Sequence, residues 1–248
     1  MRSSNPALQR DTFPSYGMAA SSDTMTVQGV IFKTVICLLL LMLTAGWTWI
    51  KFYESGGNMA VITPYLWGGL FGGLIIAMVT IFKKEWAPMT APLYALIEGL
   101  VIGGLSSMFE ASYPGIVIQA VSLTFGTAFV MLTAYSTGFI QVTERFKLGV
   151  IAATGGIFVF YMLSMILSFF GVTMPLIYSS TPFGILFSLF VVGIAALNLV
   201  LDFDFIEKGA RHGAPKYMEW YGSFALMVTL IWLYIEFLRL LSKLQSRN

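Results

Sequence analysis

The stretch Ala195–Gly209, AALNLVLDFDFIEKG, starts as an apolar helix and then places Asp202 and Asp204 where the run is ending. The residues before them, Pro182 to Leu201, are apolar over the length that crosses a hydrocarbon core of about 30 Å, which takes about 20 residues. Six more stretches read the same way: Val30 to Ile50, Val61 to Phe82, Pro92 to Phe109, Gly115 to Phe139, Leu148 to Phe170 and Tyr221 to Leu241. All are continuous apolar runs rather than alternating ones, which makes them helices and not barrel strands. The fold expected is therefore all-α, a polytopic membrane protein with seven transmembrane helices.

Composition agrees. Of 248 residues, 57% are hydrophobic and 10% charged, against about 25% charged in a soluble domain. The net charge of +2 and the lack of a basic run exclude a nucleic-acid partner. A single cysteine, Cys37, excludes an intrachain disulfide or a cysteine metal cluster, and a lone His212 leaves no zinc ligand set. Residues 1–28 are polar and lack the apolar core of a signal peptide, so they read as a retained cytoplasmic tail, a handle for partners or proteases. Residues 29–248 form the transmembrane domain. Turn chemistry in ESGGN, KKEWAPMTAP and ASYPG separates the first spans, and Thr181-Pro182 reads as an N-cap followed by proline at the first helical position.

Lysine and arginine set the orientation. Arg2, Arg10 and Lys33 lie at the N-terminal end, Lys83 and Lys84 in the second loop, Arg145 and Lys147 in the fourth, and Lys208, Arg211 and Lys216 in the sixth. The first loop has only Lys51. The N-terminus is thus expected in the cytoplasm. Arg239, Lys243 and Arg247 near the far end of the seventh span argue against its full crossing, as in a tilted or partly inserted helix. The glycines of GGLFGG (Gly68–Gly73) and GLVIGG (Gly99–Gly104) stand four apart and read as helix-packing surfaces, not phosphate loops.

Four acids fall at or near membrane depth: Glu98, Asp202, Asp204 and Glu236. A charged acid at a helix centre costs about 2.5–3.5 kcal/mol on insertion scales, so each needs an interior position, a partner or a proton. The plain readings are headgroup exposure for Asp202 and Asp204, a protonated contact for Glu98, and a local pair of Glu236 with Arg239. In the functional reading Asp202 and Glu236 face each other across helices 6 and 7, share a proton and titrate as a pair. Proton loss would part the helices and leave oxygen ligands for a hard cation such as Ca²⁺. Asn198, one turn before Asp202, adds a neutral oxygen, and Lys83 and Lys84 supply counter-charge. No catalytic constellation is present, and no cofactor is expected beyond Ca²⁺ as a transported ion. An intramembrane aspartyl protease would need Gly-x-Gly-Asp where Leu233-Tyr234-Ile235 precede Glu236, and a retinal pump would need a mid-span lysine in the seventh helix.

LNLVLDFDFIEKG (Leu197–Gly209) and LIWLYIEFLRLL (Leu230–Leu241) resemble the sixth- and seventh-helix signatures of the Bax inhibitor-1 (transmembrane Bax inhibitor motif) family. MRSSNPAL and MTVQGVIFKT resemble its bacterial YccA-like branch. In that family a Tyr-Asp pair ends helix 6 and Leu-Tyr-Leu-Asp-Phe lies in helix 7. The first Asp falls on Asp202, with Leu201 in place of the Tyr, and the second falls on Glu236, a longer side chain. The resemblance implies a central seventh helix surrounded by the other six and a pH-sensitive calcium leak gated by that pair in a bacterial inner membrane. It also implies an alternative: a regulator that binds and restrains a membrane-bound quality-control protease. The family pattern assigns no role to Asp204.

Overall fold

A computed structural model describes residues 24–171, 174, 177 and 179–247. Seven long helices follow in order: α1 (Val27–Glu54), α2 (Met59–Phe82), α3 (Ala87–Ser112), α4 (Ile116–Ser136), α5 (Glu144–Phe169), α6 (Pro182–Arg211) and α7 (Met218–Gln245). All seven are long and apolar enough to cross a membrane. The N-terminal tail, with Arg2 and Arg10, lies outside the described residues up to Thr24.

The ends of the helices follow local chemistry. Thr26, Asn58, Thr143 and Thr181 each accept a backbone N–H from the first turn they cap, which satisfies donors that the helix itself cannot. Thr181-Pro182 starts α6 as the sequence predicts. Gly56 and Gly57, at φ +67° and +82°, turn the chain between α1 and α2 where a Cβ would be strained. Glu110 closes the α3–α4 turn by accepting from Gly115 N (2.6 Å) and Val117 N (3.0 Å).

α6 runs ten residues past the predicted end of its apolar stretch. Asp204 and Glu207 pair with Lys208 and Arg211 one turn on, and these cations also suit the helix C-terminus. Asp202 therefore lies about two and a half turns inside a continuous helix rather than at its end.

α7 is the most enclosed helix and packs on α1, α3, α4 and α6. α2 leans on α3 and α1, and α5 leans on α6, so α7 is central to a core of four helices with α2 and α5 outside it. The GLVIGG glycines draw α1 and α3 together. A Cβ on Gly99 would sit 2.3 Å from Leu41 O, and one on Gly103 2.2 Å from Ala45 O. Ile31, Phe32, Leu43, Leu74, Phe129 and Phe158 are among the large apolar side chains left on the outside, a surface that belongs in hydrocarbon.

α7 is long and apolar enough to cross a membrane with the cations near its end included. At about 1.5 Å per residue its 28 residues extend well beyond a hydrocarbon core of about 30 Å. Arg239 pairs with Glu236. Lys243 is buried and donates to Gly184 O (3.0 Å) and Ser188 Oγ (2.8 Å) of α6. Two of the three cations are thus held against partners within the bundle.

Candidate functional site

α5 carries three polar side chains seven residues apart, Lys147, Thr154 and Tyr161, and so on one helical face. Each meets a polar group of α6 or α7. Lys147 Nζ lies 3.7 Å from Asp204 Oδ2, Thr154 Oγ1 accepts from Asn198 Nδ2 at 2.7 Å, and Tyr161 OH donates to Glu236 Oε1 at 3.1 Å. The result is a polar seam through otherwise apolar helices. Each step is about 10 Å along the axis.

At the seam's far end Glu236 is 1% exposed. Arg239 Nη1 donates to Glu236 Oε1 at 2.9 Å and to Tyr161 OH at 2.6 Å, and its guanidinium lies 4.9 Å from the Tyr161 ring centre. These groups border a cavity of about 340 Å³ between α5 and α7, also lined by Thr154, Phe158 and Trp232. A carboxylate, a guanidinium and a phenol at one wall can exchange a proton or hold a cation only if the Arg239 contact loosens.

Asp202 lies differently. Its Oδ2 is buried without a hydrogen-bond partner among the described residues, and Thr229 of α7 is the polar neighbour of its carboxyl. Thr229 precedes Glu236 by seven residues, about 10 Å of helix. The hydrogen-bond partners of Glu236 are Tyr161, Arg239 and Trp232, so the expected face-to-face carboxyl pair is not formed in this conformation. The antiparallel run of α6 and α7 sets the acids two turns apart. Asn198 and Thr154 fall between them.

The remaining predicted residues are placed as follows. Asp204 is buried and bridged to Lys208 at 2.7 Å as well as facing Lys147, so it binds α6 to α5 rather than reaching into headgroups. Glu98 lies against α2, where a Cβ on Gly73 would be 2.8 Å from its Oε2. Lys84 stands 5.3 Å from the Tyr221 ring centre, and Lys83 is the exposed C-cap of α2; the cations that reach an α6 acid in the seam are Lys147 and Lys208. Among the described residues no group of three or more His, Cys, Asp or Glu side chains is placed to hold a metal ion.

Sequence reasoning missed a second polar cluster. Glu219, 1% exposed at the first turn of α7, accepts from Thr26 N (2.9 Å), Thr26 Oγ1 (2.8 Å), Lys216 Nζ (2.9 Å) and Lys33 Nζ. Met25 N donates to Ala214 O at 2.7 Å beside it. The start of α1 is thereby fastened to the α6–α7 turn.

The profile of the Bax inhibitor 1 like family matches residues 5–246. No curated protein and no solved structure matches the chain. Because the family match runs through all seven helices and both acids of the seam, the chain belongs to the Bax inhibitor 1 like family of integral membrane proteins.

Proposed function

We propose that the protein is a pH-sensitive cation leak, with calcium among the ions carried, and that the seam between α5 and the α6–α7 pair is its path. The observation that carries the reading is the buried Asp202 Oδ2, without a partner among the described residues, inside a helix long and apolar enough to cross a bilayer. An acid left in that state is a costly feature for packing alone, and intramembrane acids of this kind commonly serve ions or protons. Asn198, Thr154 and the cavity at Glu236 continue a line of oxygens from it.

In this conformation the path is shut. Arg239 occupies Glu236, and Tyr161 ties both to α5. α5 has the least extensive packing on the core, touching mainly α6, so its outward movement is the cheapest way to open the seam. Loss of the Asp202 proton adds a second negative charge to the seam, which draws a hard cation in and gives it an oxygen ligand there. The charged and titratable groups that face the two acids are Tyr161, Arg239 and, further along α7, Lys243 at Glu236, with neutral Thr229 at Asp202. We place the N-terminus in the cytoplasm of a bacterial inner membrane, with the basic loops on that side.

A second reading has one observation of its own. Met25 and Thr26, at the end of the N-terminal tail, are hydrogen-bonded to the α6–α7 turn and the start of α7, so a protease gripping that tail would pull on the helix that carries Glu236. The two readings are separated by calcium entry into dye-loaded liposomes holding the purified protein. The leak predicts entry that changes from mildly acidic to mildly alkaline pH and rises in Tyr161→Phe, which removes the phenol from the latch. Entry no faster than in protein-free liposomes at every pH sinks the leak and leaves the regulator.

A further inference from the structure

On the opposite flank of α7 from the seam, α1 and α4 stand apart and leave a groove of about 280 Å³ floored by α3 and α7. Gly46, Gly103, Ser106, Val121, Thr124 and Tyr234 are among its lining residues. Its walls cannot collapse to close it. α1 is held on α3 by the Gly99 and Gly103 contacts with the Leu41 and Ala45 backbone, and α4 is packed on α7 with Ile116 and Ala120 fully buried. A gap between fixed walls loses its dispersion contacts unless something fills it.

The chemistry of the groove selects the filler. Its hydroxyls are already engaged. Ser106 Oγ and Tyr234 OH bond each other at 2.6 Å, and Thr124 Oγ1 donates to Ala120 O at 2.7 Å. The rest of the lining is apolar, so water finds few partners and a cation finds none. The volume is roughly twice that of the ~150 Å³ apolar cavity that admits benzene, which gives room for about a dozen carbons. The mouth lies between two bilayer-crossing helices. Gly46 follows the midpoint of α1 and Thr124 lies in the first half of α4, which sets the groove in the half of the bundle toward the α1–α2 and α3–α4 turns.

We propose that this groove is a binding site for one acyl chain of a bilayer phospholipid from the leaflet on that side. The chain completes the packing of α1, α4 and α7 and rests on the Ser106–Tyr234 pair. Because Tyr234 precedes Glu236 by two residues on α7, a lipid seated here braces the helix that carries the seam's far end.

The test uses the full chain, purified and stripped of lipid by detergent exchange, then titrated with dioleoylphosphatidylcholine in mixed micelles. Native mass spectrometry counts bound lipid, and thermal unfolding reports stability. A Cβ on Gly46 meets nothing within 4 Å, so Gly46→Leu grows into open space, and Val121→Trp fills the groove from α4. Gly155→Leu, on α5 away from the groove and equally open, is the control. The proposal expects one saturable lipid per chain on the wild type and on Gly155→Leu, with an unfolding midpoint that rises to a plateau as lipid is added. It expects binding weakened at least about tenfold in either filled variant that unfolds no earlier than the lipid-free wild type. Non-saturable binding to the wild type, or saturable binding unchanged in the filled variants, overturns it. If both filled variants fail to fold, the wild-type titration alone decides.

Discussion

At the first turn of α7, Glu219 is buried with four donors from α1, the residue before it and the α6–α7 turn. Ten residues further along α7, level with Thr229, Asp202 of α6 is half-buried, with its Oδ2 shut away from solvent and without a partner among the described residues. The two acids lie about 15 Å apart along the helix. Burial of a charge is tolerated when the charge is paired and hydrogen-bonded. Glu219 meets that condition and fastens the chain; Asp202 has no cation beside it, and its Oδ2 has no partner among the described residues. One acid fastens the bundle, and the other is the one to which we assign the leak.

The sharpest way to break this contrast is to remove the satisfied acid. Glu219→Ala leaves Lys33 and Lys216 facing each other around Thr26 without their anion. The expected loss is about 3–5 kcal/mol, read as a lower midpoint of thermal unfolding in detergent and as protease sensitivity at the start of α1. A midpoint equal to wild type would make the cluster ornamental. Next in size is Gly29→Ala. Its Cβ would lie 2.1 Å from Glu219 Oε1, so the carboxylate must move off its donors, at a cost of about 1–3 kcal/mol. Lys216→Ala removes a half-exposed donor and should cost less than about 1 kcal/mol in the same assay. Smallest of all in stability is Asp202→Asn, which exchanges a carboxyl for its isostere where the environment supplies no cation. Its unfolding midpoint should lie closest to the wild type of the four; a loss as large as that of Glu219→Ala would erase the distinction between the two acids.

Much of the architecture was legible because hydrocarbon imposes a length and a composition on each span. Seven apolar runs became seven helices, the Thr181 cap fell where expected, and GLVIGG marked the tightest helix contact. What the sequence hid was pairing across long separations. Glu219 lies just outside the apolar run of α7, and its partners Thr26 and Lys33 are 193 and 186 residues away. Tyr161 looks like one more aromatic in a greasy helix. A signal was available in the spacing of Lys147, Thr154 and Tyr161, a seven-residue polar repeat in an apolar span, which places three polar groups on one face. The end of α6 was misplaced because charge was taken as the end of a helix, whereas i,i+4 pairs carried the helix onward. The acid pair was read as a contact because both residues lie on adjacent helices, and the antiparallel register that sets them two turns apart cannot be read from either stretch alone.

The most direct test of the account is calcium entry into liposomes, followed as a function of pH for the wild type and for Asp202→Asn at matched protein content and matched unfolding midpoint. The account predicts a pH-dependent entry in the wild type whose pH dependence disappears in Asp202→Asn, with the fold unharmed. A variant that keeps the wild-type pH profile would contradict it, and Asp202 would then be a buried acid without a part in the leak.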